Sequence, residues 1–179
     1  MVYGGLVILE RAGRHRHYRL ANAEVALALE ALGAIATPAP PARSLSPDAR
    51  ALRRARTCYD HLAGVLAVHL TDWWLEQELL VAQGPRDFVV TGPGAEWFRA
   101  HLQIDTARLA GSRRPLARQC LDWTERRPHV AGALGAMVLT QLLARRWVAR
   151  TPDPRRLRVT TSGRSALSRF GLDGPELFS

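Results

Sequence analysis

A chain of 179 residues holds one ordinary domain or two small ones, and 47 % hydrophobic residues suit a globular protein. All 25 basic residues are arginines, set against 16 acids. The formal charge of +9 favours a polyanionic partner, although arginine without lysine beside abundant alanine is also what a GC-rich genome produces. No run reaches the ~18 apolar residues of a membrane span, no leader-like layout opens the chain, and Cys58 and Cys120 make no disulfide framework, so the expectation is a cytoplasmic protein without a membrane partner.

The first element is a hairpin. Residues 6–20 read as two short strands around Ala12-Gly13, where glycine supplies the positive φ of a tight turn. Arg11, Arg14, Arg16 and Arg19 crowd onto it, the pattern of a hairpin that grips phosphate or probes a minor groove. It reads as the wing of a winged helix. In that fold the helices carrying base contacts come before the wing, and only five residues precede this one. The DNA contacts expected of the chain are therefore these four arginines, acting on phosphate without sequence preference.

Asn22 is placed to cap a helix over residues 23–32, with Val25, Leu29 and Leu32 on one side and Gly33 ending it. Residues 37–43 read as an extended Pro-rich linker. Ser46-Pro47-Asp48 then supplies a cap, a first-turn proline and an acid for a helix expected over 49–59. Its Arg50, Arg53, Arg54 and Arg56 form either a solvated basic face or a phosphate-binding one.

The remainder repeats. His61-Leu62-Ala63-Gly64 leads into a helix through Leu80, a hairpin, and a helix opened by Val90-Thr91-Gly92-Pro93-Gly94. His129-Val130-Ala131-Gly132 leads into a helix through about Val148, a hairpin, and a helix opened by Val159-Thr160-Thr161-Ser162-Gly163. The histidines stand 68 residues apart and the threonines Thr91 and Thr160 stand 69 apart, a difference one loop residue absorbs. The predicted fold class is α+β, mainly α, built of tandem winged-helix-like units. Residues 1–33 form a residual wing hairpin and helix, 34–47 a linker, and 48–179 two repeated helix-hairpin-helix units. The middle wing carries only Arg86 and Asp87. The last carries Arg150, Arg155, Arg156 and Arg158 and is the better phosphate probe.

Residues 5–20 resemble the wing of ArsR-type bacterial repressors. Ala55-Arg56-Thr57-Cys58-Tyr59-Asp60-His61-Leu62-Ala63-Gly64 and Cys120-Leu121-Asp122-Trp123-Thr124-Glu125-Arg126-Arg127-Pro128-His129 resemble the extension of a longer subgroup. The resemblance covers nearly the whole chain and implies a homodimeric repressor with an N-terminal winged helix. The chain departs from it in the recognition helix, so no base-reading residue carries over. A start codon assigned too far downstream, a truncation or a trimmed piece would each account for that.

Two groups carry candidate chemistry. Cys58 and His61 have Cys-x-x-His spacing, and Cys120, Asp122 and His129 form a second set. If the repeats pack side by side, the two cysteines and two histidines converge on zinc or another divalent metal, or the two thiols form a redox pair. The alternative is a buried thiol that fills space and a histidine bonded locally. The unequal Cys-to-His separations, three residues and nine, count against convergence. Asp60 and Glu125 are expected to bind neighbouring arginines or helix-start amides rather than to do acid–base work, and neither a phosphate loop nor a Gly-x-Ser-x-Gly elbow is present. An enzyme is not expected. Of Trp73 and Trp74, one indole should face the core and the other an edge. Trp97, Trp123 and Trp147 read as core or hinge packing, and 170–179 as a loose tail. The reading reached is a DNA-binding repressor-type regulator or its effector and dimerisation part. The rival is a dimeric ligand- or metal-sensing or protein-interaction module that does not bind DNA.

Overall fold

A computed structural model describes residues 1–13, 15–36 and 45–178, so Arg14 and linker residues 37–44 lie outside the described residues. The chain divides into two units, Met1–Ala39 and Pro40–Ser179. In the first, β1 (Val7–Ala12) pairs antiparallel with β2 (His15–Leu20), from Val7 opposite Leu20 to Ala12 opposite His15. Ala12 therefore ends the strand, and the turn begins at Gly13, at φ 59°. The Asn22 side chain accepts from the Val25 amide at 2.9 Å and starts α1 (Ala23–Ile35). The helix runs through Gly33 and stops at Ala36, because a glycine ends a helix only where the chain turns left-handed. Among the described residues of this unit Ala26 alone is buried; Leu29, Leu32 and Ile35 are exposed.

The second unit holds the core. It begins with α2 (Pro47–Arg54), whose Ser46 cap accepts from the Ala49 amide. The helix ends five residues short of the expected Tyr59. Arg56 instead opens a short strand, β3 (Arg56–Cys58), paired with β4 (His61–Ala63). Then come α3 (Val65–Glu76), the hairpin β5 (Leu80–Gln83) and β6 (Asp87–Val90), α4 (Gly92–Leu102) and a short α5 (Thr106–Ala110). A second series follows: β7 (Arg118–Leu121), β8 (Pro128–Ala131), α6 (Gly132–Ala144), β9 (Val148–Arg150), β10 (Leu157–Val159) and α7 (Thr161–Ser168), closed by α8 (Pro175–Phe178). Each series is thus hairpin, helix, hairpin, helix.

Both long helices end earlier than expected. Each passes into its strand through a left-handed residue, Glu78 at φ 54° in one and Arg146 at φ 56° in the other, so Leu80 and Val148 begin strands. The order β5-β6-β7-β8 makes one four-stranded sheet, joined across the series where Asp87 pairs with Arg118. Thr91 and Thr160 cap α4 and α7, each accepting from a glycine amide at 2.9 Å.

The core runs from Leu62 and Leu66 through Trp74, Phe98 and Ile104 to Leu134, Leu139 and Leu167. Trp74 is buried, while Trp73 lies at the core edge between Trp97 and Phe170, with ring centroids at 5.4 and 5.3 Å. Two expectations fail. The C-terminal segment is anchored: Leu172 and Leu177 are buried, and Phe170 joins the aromatic cluster, because α8 returns an apolar side to α2 and α3. Trp123 is 59 % exposed and lies over the Arg56 guanidinium, 4.7 Å from carbon to ring centroid, rather than in the core.

Candidate functional site

The two small hairpins, β3–β4 and β7–β8, set the site. Cys58 faces His61 across the first, and Cys120 faces His129 across the second, each pair in direct register. The unequal separations in sequence are therefore only unequal turns: the first hairpin closes through Tyr59-Asp60 and the second through residues 122–127. Strand β4 packs against β8 and α6, bringing the two pairs together. The Cys58 and Cys120 Sγ atoms are 4.0 Å apart and the His61 and His129 Nε2 atoms 3.1 Å apart; the four donor atoms all lie within 4.8 Å of one another. His61, Cys120 and His129 are buried and Cys58 is half-buried.

Glycine permits the close approach beneath the site. Gly64 follows β4 at φ 90°, and an added Cβ would stand 2.4 Å from the Arg53 carbonyl. Gly132 follows β8 at φ 79°, where a Cβ would stand 2.6 Å from the Pro115 carbonyl. Left-handed backbone at matched positions swings each chain from its strand directly into its helix.

A carboxylate stands behind each imidazole. Asp60 Oδ1 lies 3.4 Å from His61 Nδ1, and its other oxygen accepts from Arg114 at 2.6 Å. Asp122 Oδ2 lies 3.8 Å from His129 Nδ1, a buried nitrogen without a hydrogen-bond partner among the described residues. Asp122 accepts two bonds from Arg56 at 2.7 and 2.8 Å, one from the Gly64 amide at 2.7 Å, and others from Thr124 and the Glu125 amide. It is thus an anchor behind His129 and not one of the four converging donors.

The electrostatics follow from these contacts. The hydrogen bond with Cys120, joined by those from His129 and His61, holds the Cys58 thiol well below its ordinary range against the opposing effect of burial. Burial pushes His129 down, partly offset by Cys58. His61, then Arg114, lowers Asp60 to about 2. Burial would raise Asp122, but the Arg56 charge, the Thr124 hydroxyl and the Gly64 amide outweigh it and hold the group below the usual carboxylate range.

The arginines read from sequence as DNA contacts fall on the exposed first hairpin. Arg11 and Arg16 are cross-strand partners, Arg19 pairs with Glu10, and all three are exposed. Of the α2 arginines, Arg53 makes a two-pronged pair with Glu125 at 2.7 and 2.9 Å. In the last wing Arg156 pairs with Asp48 at 2.8 Å, while Arg150, Arg155 and Arg158 are exposed. Sequence reasoning did not single out Arg114, and it placed Arg56 on a helix face rather than buried beneath Trp123. Among the described residues no helix is long and apolar enough to cross a membrane.

No family model matches the chain, and no solved structure matches it. Among curated proteins it is 42 % identical over 166 residues to YdfF of Bacillus subtilis, described as an uncharacterised HTH-type transcriptional regulator; the match spans 92 % of this chain and 72 % of YdfF. Because only 8 % of the chain lies outside the match, it includes the thiol–imidazole cluster between Cys58 and His129 wherever its ends fall. With that identity over nearly its whole length, the chain belongs to the HTH-type transcriptional regulators, which are DNA-binding proteins and not enzymes.

Proposed function

We propose that this chain carries the wing and the effector and dimerisation part of a cytoplasmic, homodimeric repressor of the ArsR type, with tandem winged-helix-like units. The observation that carries the reading is the first hairpin. Arg11 and Arg16 stand directly opposite each other with exposed side chains. Like charges across a strand pair are destabilising unless an anion lies between them, and duplex DNA supplies a row of such anions. In this reading the hairpin gives phosphate contacts that are weak and independent of sequence. The second unit holds the effector site, where binding alters dimer geometry and hence affinity for the operator.

The test is fluorescence anisotropy with duplex DNA across a salt series, beside the solution mass by light scattering. The expected result is a dimer whose affinity falls steeply with salt. Arg11→Ala with Arg16→Ala should reduce the log–log salt slope by about 2. A monomer, an unchanged slope in the double variant, or a tight, salt-resistant and sequence-specific complex would each count against the reading. Loss of all DNA binding would favour a sensing module that acts without DNA.

A further inference from the structure

The geometry points to a tetrahedral metal site made by Cys58, His61, Cys120 and His129, suited to zinc, as the effector or structural site of the second unit. This inference rests on reading that unit as the effector part.

The distances fit the ion. Zinc lies about 2.3 Å from thiolate sulfur and about 2.0–2.1 Å from imidazole nitrogen. A tetrahedron with those radii has a sulfur–sulfur edge of about 3.8 Å and a nitrogen–nitrogen edge of about 3.3 Å. The corresponding separations here are 4.0 and 3.1 Å, and no donor pair exceeds 4.8 Å. The mixed sulfur–nitrogen edges of that tetrahedron are about 3.6 Å, so side-chain rotation must draw the most widely separated donors together by up to roughly an ångström.

The orientation of the rings is the second argument. Both histidines turn Nε2 inward and Nδ1 outward toward an aspartate. In a neutral pair one ring must donate through Nε2, which leaves its Nδ1 a bare lone pair facing a carboxylate, whereas a cation accepts a lone pair from both Nε2 atoms and leaves both Nδ1 atoms protonated. The outward Nδ1–H of His61 then has Asp60 within hydrogen-bond reach at 3.4 Å and that of His129 faces Asp122 at the ion-pair distance of 3.8 Å, and a carboxylate so placed fixes tautomer and ring direction for a metal-bound histidine. For His129 this also gives a role to a buried nitrogen that otherwise lacks a partner.

The donor set decides the class of ion. Two sulfurs and two imidazoles suit zinc and disfavour magnesium and calcium, which take oxygen. All four positions are filled by protein and three of the four residues are buried, so the site is closed rather than catalytic. A metal there would join the first small hairpin of one series to that of the other, tying the two halves of the repeat.

The experiment is performed on the full chain under reducing conditions. Bound metal is measured by elemental mass spectrometry, and the metal-stripped protein is titrated with cobalt(II). One zinc per chain is expected. Cobalt should bind at one equivalent with the intense visible bands of tetrahedral geometry and a thiolate charge-transfer band, and zinc should displace it. Cys58→Ser with Cys120→Ser should abolish that band. Because this variant could lose its fold, Asp60→Asn, which keeps all four donors, should weaken zinc binding about 10–100-fold. Substoichiometric metal, a pale six-coordinate cobalt spectrum, or bands that survive the double serine variant would each overturn the site. None of these readouts involves DNA, so failure of the metal site and failure of the regulator reading are separately visible.

Discussion

Arginine and aspartate residues that look alike in the sequence do very different work here, and burial decides which. Arg56 and Asp122 are 1 % and 0 % exposed at their side chains and bonded twice. Arg53 and Glu125, three residues earlier and later, make an equally well-shaped pair, but Arg53 is half exposed. Removing one member of a buried pair leaves the other charge without compensation, at a cost of about 3–5 kcal/mol, whereas exposed pairs are worth about 0.2–1 kcal/mol. Asp122→Ala should therefore lower the urea midpoint sharply, and Arg53→Ala should barely move it. Equal shifts in the two variants would refute this ranking. The difference was not legible in the sequence, where Arg50, Arg53, Arg54 and Arg56 form one basic cluster. What separates Arg56 is its place on a strand of three residues, too short to carry a readable period, and a side-chain partner, Asp122, that stands 66 residues away.

At the scale of elements, capping and turn chemistry were legible because they are local. Asn22, Ser46, Thr91 and Thr160 each bond an amide three residues ahead, and those spacings can be seen without a structure. The four-residue convergence was legible only as a possibility, since the separations of three and nine residues become equivalent only once each cysteine is seen to sit opposite its histidine. The same locality governs the glycines. Gly64 and Gly132 hold φ values of 90° and 79° with a carbonyl where a Cβ would go, whereas Gly33 lies inside α1 with open space around it. Gly64→Ala and Gly132→Ala should each destabilise by at least ~1–3 kcal/mol from backbone conformation alone. Gly33→Ala should stabilise α1 by roughly 0.5–1 kcal/mol, as alanine does in a helix interior. Thermal melts of the three variants check the opposite signs, and a destabilising Gly33→Ala would mean that α1 is not the regular helix described.

Across the whole molecule, apolar burial is unevenly shared. The second unit gathers Leu66, Trp74, Phe98, Leu134 and Leu167 into one continuous core. The first exposes Leu6, Ile8, Tyr18, Leu29 and Leu32, and Ala26 is its one buried residue among those described. Local opening free energy follows the apolar contacts that must be broken. Amide exchange should therefore separate the units. The amides of β1, β2 and α1 should exchange through cheap local opening, while those of α3 and α6 should exchange only on global unfolding. Mass-resolved exchange on the free chain measures this directly, and equal protection in α1 and α3 would contradict it. The same measurement bears on the charge of +9. If the arginine hairpin meets phosphate, duplex DNA at low salt should protect residues 7–12 and 15–20 first. That protection should fade as salt rises, because counterion release drives the contact. Protection gained in α3 and α6 but not in the hairpin would instead place the DNA contact in the second unit, with the exposed Arg150, Arg155 and Arg158 of the last wing as its basic residues.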